Sequence, residues 1–308
     1  MNQDLRNLRD NVSKVFFGAP EVLERVVCCL LARGHLLLED VPGVGKTVLA
    51  TALARSLDCT FSRLQLTPDL LPSDILGVEI FNRTTNEFVF KRGPIFANVV
   101  LADEINRTPP RTQSALLEAM NEATVSVEGR VLTLDQPFMV VATQNPYDFE
   151  GTYFLPENQL DRFLMRISLG YPSPEAEARV LEVRPANSPL HDLKPVLSRA
   201  TLLALQAQVD KVTLSEPLRQ YIVRFATATR ASEALLHGLS PRGSLALAQA
   251  ARATALLADR DYCTPDDVVR NVVPVCAHRV IPRTAPGQTP MRTEALLETI
   301  LHSVPSPT

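Results

Sequence analysis

Seven residues constrain this chain more than any others. They are Val41-Pro42-Gly43-Val44-Gly45-Lys46-Thr47, set between an apolar run at His35–Glu39 and a helix-forming run at Lys46–Leu57. Strand, glycine turn and helix in that order make an anion cradle, because backbone N–H groups point inward and the helix N-terminus adds the positive end of its dipole. Gly43 and Gly45 permit backbone angles and a close approach that a Cβ would block. Lys46 is placed to reach the β- and γ-phosphates of a nucleoside triphosphate such as ATP, and the Thr47 hydroxyl to ligate Mg2+. Pro42, Val44 and Val48 complete the phosphate-facing stretch. The motif ordinarily begins with glycine, and here that position is Asp40. A carboxylate aimed at phosphates would repel them, so Asp40 is expected to point away. The bland alternative is an ordinary glycine turn before a helix, and a second motif downstream weighs against it.

That second motif is Val99-Val100-Leu101-Ala102-Asp103-Glu104. An apolar strand delivers Asp103 to the edge of a sheet, where it can hold Mg2+ through water. Glu104 beside it can take a proton from an attacking water. Most Asp-Glu pairs are solvated surface acids; one that ends a buried strand downstream of a phosphate loop is a site. Asn145 ends another apolar run, Phe138–Thr143. Its amide could orient the attacking water, and Asn145–Pro146 could equally be a turn starter. Arg162 and Arg242 could lend charge to a phosphoryl transition state, although a lone arginine is most often a surface ion-pair partner.

Charge and composition narrow the field of partners. The 31 basic and 34 acidic side chains leave a formal charge of −3, with no basic tract to mark a nucleic-acid surface. There is no Trp, so no base-stacking platform is advertised. Residues 1–11 are polar and unlike a signal peptide, and no apolar stretch is long enough to span a bilayer. The five cysteines, Cys28, Cys29, Cys59, Cys263 and Cys276, form no CxxC pair and fit a reducing, cytoplasmic setting. Cys28 and Cys29 fall in an apolar helical run at Val22–Arg33 and are expected to be small buried hydrophobes.

Strands alternate with helices as far as Gly170, which predicts an α/β unit over residues 1–170: a parallel sheet sandwiched by helices. Its strands are expected at His35–Glu39, Thr60–Leu66, Val99–Asp103 and Phe138–Thr143. Thr108 with Pro109 should cap a helix running to about Ala123. Hairpins are expected over Ile80–Phe90 and over Thr124–Leu134, and Pro68–Asp74 is expected to be irregular. Five prolines punctuate a connecting region, residues 171–195. Residues 196–283 read as a small all-helical lid, helices only from Thr201 onward. Ser240–Pro241 and Thr264–Pro265–Asp266–Asp267 mark two helix starts there. Residues 284–308 form a C-terminal extension with a short helix.

The order Gly-x-Gly-Lys-Thr, Asp-Glu, Thr-Gln-Asn-Pro, Leu-Asp-Arg-Phe, Ser-Pro-Arg resembles the AAA+ ATPases, and more narrowly the MoxR family of the helix-2-insert branch. The longest matching stretch is Asp103–Met120, and the matches run from about Val15 to about Arg283. The resemblance implies an ATPase that assembles into a ring, usually a hexamer, with ATP bound between subunits. It implies that Asn145 is sensor 1, that Arg162 is a finger acting on the neighbouring subunit with Arg166 in reserve, and that Arg242 is a sensor-2 arginine acting on its own subunit's nucleotide. Phe16–Gly18, Gly18 included, would line the adenine side. The two hairpins would face the ring's opening and touch a client. The function implied is a chaperone-like motor acting on a protein client, often with a partner chain bearing a von Willebrand factor A domain. A nucleic-acid motor is the second reading, disfavoured because the Ile80–Phe90 hairpin offers only Arg83 as a basic group. An ATP-gated scaffold with little turnover is the third.

Overall fold

The computed structural model describes residues 2–127, 129–146, 151–182, 190, 192–283 and 292–307. Its centre is a parallel sheet of five strands: β1 (Leu36–Glu39), β2 (Phe61–Gln65), β3 (Val99–Asp103), β4 (Met139–Gln144) and β5 (Met165–Ile167). Their spatial order is β5-β1-β4-β3-β2, with β1 between β4 and β5. Successive side chains of a strand point to opposite faces. Leu36 and Leu38 therefore enter one core and Leu37 the other, and Val99 and Leu101 part from Val100 and Ala102 in the same way. A strand covered on both faces needs apolar residues at successive positions, which is why the central strands β1, β3 and β4 read as apolar runs up to their polar C-terminal ends.

One face is covered by the helices Gln3–Val12, Pro20–Leu31 and Lys46–Ser56, and this core continues without a break into the lid. The other face is covered by the helix Pro110–Glu122. Two antiparallel ribbons project from the sheet, Gly77–Asn82 with Glu87–Arg92 and Thr124–Val127 with Arg130–Thr133, where hairpins are expected. The lid contains the helices Arg199–Val209, Glu216–Ala231, Pro241–Leu257 and Pro265–Cys276, and the last helix, Thr293–Ser303, packs on it. Ser240 Oγ accepts from the Gly243 N–H at 3.1 Å, and the Asp267 carboxylate accepts from the Thr264 N–H at 2.7 Å, at the two helix starts their sequences predict.

Several local expectations are corrected. Pro110, not Pro109, opens its helix; the Thr108 hydroxyl makes no cap and instead donates to the Thr67 carbonyl at 3.0 Å. Pro72–Leu76, expected to be irregular, is a short helix. The connecting region contains the helix Pro174–Glu182, with Ser173 Oγ accepting from the Ala176 N–H at 3.2 Å. The lid is not purely helical: Leu235–His237 pairs with Ile281–Pro282, and Leu197–Ser198 pairs with Leu57–Asp58 of the sheet unit. Residues 284–291 of the extension lie outside the described residues.

Cys28 and Cys29 are buried as expected, and burial pushes the Cys28 thiol up to about 12. Among the described residues, no helix is long and apolar enough to cross a membrane.

Candidate active site

β1 runs directly into the loop Asp40–Gly45, and the next helix starts at Lys46. Gly43 has φ 87° and Gly45 φ 95°, left-handed values open to glycine at little cost. The first N–H groups of that helix have no partner within the helix. Asp40 points away from the loop's interior. Its carboxylate accepts from Ser168 Oγ and the Gly170 N–H, each at 2.7 Å, and from the Val41 N–H at 2.8 Å. Burial alone would raise the Asp40 pKa, but these hydrogen bonds outweigh it and hold it below the usual carboxylate value. The missing first glycine is thus a tether from the loop to the segment after β5.

β3 carries Asp103 to the same sheet edge. Thr47 Oγ1 lies 3.3 Å from Asp103 Oδ2, so hydroxyl and carboxylate form a pair of hard oxygen donors of the kind Mg2+ takes. Lys46 Nζ donates to the Gln144 carbonyl at 3.1 Å, which keeps the ammonium inside the cleft. Burial lowers the Lys46 pKa, opposed by the nearby charges of Asp40, Asp103, Glu104 and Glu39. Glu104 adopts φ 59° and ψ 53°, an uncommon conformation for a residue with a side chain. Its carboxylate is held by Gln65 Nε2 at 3.3 Å and Arg107 Nε at 3.1 Å.

Thr143 on β4 joins the two acids. Its hydroxyl donates to Asp103 Oδ1 at 2.7 Å and accepts from the Glu104 N–H at 2.9 Å. Asn145, just beyond β4, is buried, and its carbonyl accepts from Asn106 Nδ2 at 3.2 Å. Arg63 on β2 donates to Asp103 Oδ2 at 2.7 Å. Together these residues line a cavity of about 400 Å³ that includes Pro42, Gly43, Gly45, Lys46, Thr47, Val48, Asp103, Glu104, Thr143 and Asn145. An adjoining apolar cavity of about 460 Å³ is lined by Phe16, Phe17, Gly18, Val44, Val48, Tyr171 and Pro172, beside the loop where an adenine ring would sit. Thr143, Arg63, Gln65 and Arg107 have no role assigned from the sequence, yet Thr143 touches both acids and each of the others touches one.

The arginines lie elsewhere. Arg162 precedes β5 by three residues and donates through Nη1 to the Leu117 carbonyl. Arg242 faces Asp161 Oδ2 at 3.5 Å and donates to Asn121 Oδ1 at 2.9 Å. Asn121 follows Met120, whose carbonyl lies 2.9 Å from Nε2 of His35, the residue before β1. Both arginines therefore flank the N-terminal edge of a parallel sheet whose C-terminal edge carries the loop. The four residues of β1 separate the two ends by about 13 Å of strand. Arg242, expected to serve its own chain's nucleotide, makes its contacts here with Asp161 and Asn121. The lid docks on the helix Pro20–Leu31, through Cys28 Sγ to the Ala250 carbonyl and Gln206 Nε2 to the Leu30 carbonyl. Arg166 is bound within its own chain, to Glu39 and Glu294 at 3.1 Å each.

Residues 35–165 match the family described as ATPase family associated with various cellular activities (AAA), and residues 227–300 match the AAA lid domain. A protein of Mycobacterium tuberculosis named Chaperone MoxR1 is 44% identical over 88% of this chain and 74% of its own length. The chain belongs to the MoxR family of AAA+ ATPases. Another relative in this family comparison, the uncharacterized protein YeaC of Bacillus subtilis, is 46% identical over 97% of this chain and 93% of its own. The crystal structure of a candidate ATPase from Cytophaga hutchinsonii superposes on this MoxR-family chain with a TM-score of 0.90, at 38% identity over 99% of this chain and 95% of that one. The lid match extends to residue 300, so the helix Thr293–Ser303 falls largely within the AAA lid.

Proposed function

We propose that this chain hydrolyses Mg·ATP at sites shared between subunits of a ring, most simply a hexamer, and uses the cycle to remodel or activate a protein client. The observation that carries the reading is the division of charge. Lys46, Thr47, Asp103 and Glu104 meet in one cleft, while Arg162 and Arg242 lie at the opposite end of the sheet. Both arginines make their contacts outside the cleft of their own chain, which supports a role at a neighbour's.

Thr47 Oγ1 and the Asp103 carboxylate would hold Mg2+, which would supply positive charge to offset that of the phosphates. Lys46 supplies the fixed positive charge on the phosphates. Glu104, kept in place by Gln65 and Arg107, accepts the proton of the attacking water, and the Asn145 amide orients that water. Arg162 and Arg242 of the adjacent subunit stabilise charge on the transferred phosphoryl group; Arg166, occupied by two carboxylates, is the poorer finger.

The chaperone-like role is supported by the relative named Chaperone MoxR1 and by the ribbon Gly77–Arg92, whose Ile80, Phe81, Phe88 and Val89 are exposed apolar side chains. Such a surface suits a polypeptide better than a phosphate backbone, so the nucleic-acid motor is set aside. A partner chain with a von Willebrand factor A domain and a cytoplasmic setting fit the same reading.

The test is a mixture of two inactive variants. Arg162→Ala keeps a complete cleft, and Lys46→Ala keeps a good arginine. Each alone should be nearly inactive, and co-assembled they should recover part of the ATPase activity. Proven co-assembly with no recovery would overturn the shared site.

A further inference from the structure

Arg279, three residues beyond the lid helix Pro265–Cys276, is only 3% exposed. Its guanidinium has five N–H bonds to place. Nε donates to Asp161 Oδ1 at 2.8 Å, and Nη2 donates to the carbonyls of Asp161 at 3.1 Å and Phe163 at 2.7 Å. Nη1 donates to the Leu164 carbonyl at 3.1 Å and to the Val275 carbonyl. Four of the five acceptors belong to residues 161–164, the stretch that carries Arg162 into β5.

The neighbouring residues act in the same direction. His278 Nε2 lies 2.9 Å from the Phe163 carbonyl and 2.7 Å from Arg279 Nη1. Burial and the adjacent Arg279 charge pull the His278 pKa well below its usual value, in keeping with a neutral ring. Asp161 turns its second oxygen to Arg242, so two lid arginines hold one carboxylate of the sheet unit. Residues 161–164 lie outside helix and strand, and their carbonyls need donors that neither provides. The lid provides them.

We propose that Arg279 is a positioning residue through which the lid sets the backbone that presents Arg162 to the neighbouring subunit. A movement of the lid is then a movement of the arginine finger. This rests on the shared-site reading. Lysine cannot replace the planar fork, because it offers three donors from a single point.

The experiment is a complementation series with Arg279→Lys. The variant should bind nucleotide with wild-type affinity, yet hydrolyse ATP at least tenfold more slowly alone. Mixed with Lys46→Ala it should regain activity to the extent that Arg162→Ala does. Mixed with Arg162→Ala it should stay inactive, because neither chain presents a finger. A general defect of folding or of the chain's own cleft would not give that pattern. If Arg279→Lys does not fold, Asp161→Asn takes its place and should fall in the same class. Wild-type turnover by Arg279→Lys, or no rescue by Lys46→Ala where Arg162→Ala is rescued, overturns the proposal alone. No rescue of Arg162→Ala itself overturns the shared site, and the proposal with it.

Discussion

Thr143→Val removes one hydroxyl and keeps the shape of the side chain. In the folded protein that hydroxyl donates to Asp103 at 2.7 Å and accepts from the Glu104 N–H at 2.9 Å, in a position 1% exposed. The substitution leaves the Glu104 amide without its acceptor, at a cost of about 1–3 kcal/mol, and removes a charge-assisted bond worth about 1.5–3 kcal/mol. Arg63 still pairs with Asp103, so part of the second loss is recovered; a net destabilisation of about 2–4 kcal/mol is expected. The hydroxyl also helps hold Glu104 in its left-handed conformation, which costs about 1–2 kcal/mol on its own. If about half of that 2–4 kcal/mol is felt at the transition state, kcat falls roughly fivefold to thirtyfold. Urea unfolding and steady-state ATPase assays measure the two effects, and Thr143→Ser should restore both. Wild-type stability together with wild-type kcat in Thr143→Val would refute the role given to this hydroxyl.

Glu104→Gln should bind ATP and assemble as the wild type does while turnover falls by roughly 10²-fold or more, because an amide cannot accept the water's proton; calorimetry and phosphate release separate the two. His35 gives a pH dependence. Its Nδ1 accepts from the Val140 N–H at 3.0 Å and its Nε2 faces the Met120 carbonyl, so both nitrogens are satisfied only in the neutral ring. Burial holds its pKa down at about 4, against an ordinary 6.5. The unfolded chain therefore takes up this proton first, and the stabilisation, complete above pH 6.5, fades as pH falls towards 4, by about 3 kcal/mol. His35→Leu should flatten the fall in urea-derived stability across that window, and an unchanged slope would count against the assignment.

The parts of the site legible in the sequence are those fixed by a continuous piece of chain. Lys46, Thr47 and Asp103 follow from glycines and apolar runs that decide local backbone on their own. Thr143 was not legible because its partners come from another strand, and only the register of β4 beside β3 brings its hydroxyl to Asp103. The signal was a threonine ending an otherwise apolar run. Ser240–Pro241 announced a helix start, and the helix is there, but no local pattern says which end of the sheet that helix will face. The docking of the lid decided it. The helix Pro174–Glu182 is hidden for a simpler reason: among five prolines Pro174 reads as punctuation, although proline after serine opens helices readily. Arg279 lies in an apolar neighbourhood where sequence gives no hint of five waiting carbonyl and carboxylate oxygens.

The ribbon Gly77–Arg92 has a mechanical property that follows from its root. A Cβ on Gly77 would come within 2.2 Å of the Lys91 carbonyl oxygen, and one on Gly93 within 2.3 Å of the Ile75 carbonyl oxygen. The root of the ribbon thus has no room for a side chain at Gly77 or Gly93, while further out the Phe81 and Phe88 rings meet across the ribbon, tilted to each other, with centroids 5.2 Å apart. A stiff arm on a narrow pivot behaves as a lever. Each strand has six residues, so the arm is about 20 Å long, and a tilt of about 10° at the pivot sweeps the tip by roughly 3–4 Å. The pivot is joined to the sheet through the helix Pro72–Leu76, whose Leu76 carbonyl accepts from the Gly93 N–H at 3.2 Å. A sub-ångström shift at the sheet edge can in this way become a stroke the length of one peptide unit at the arm's end.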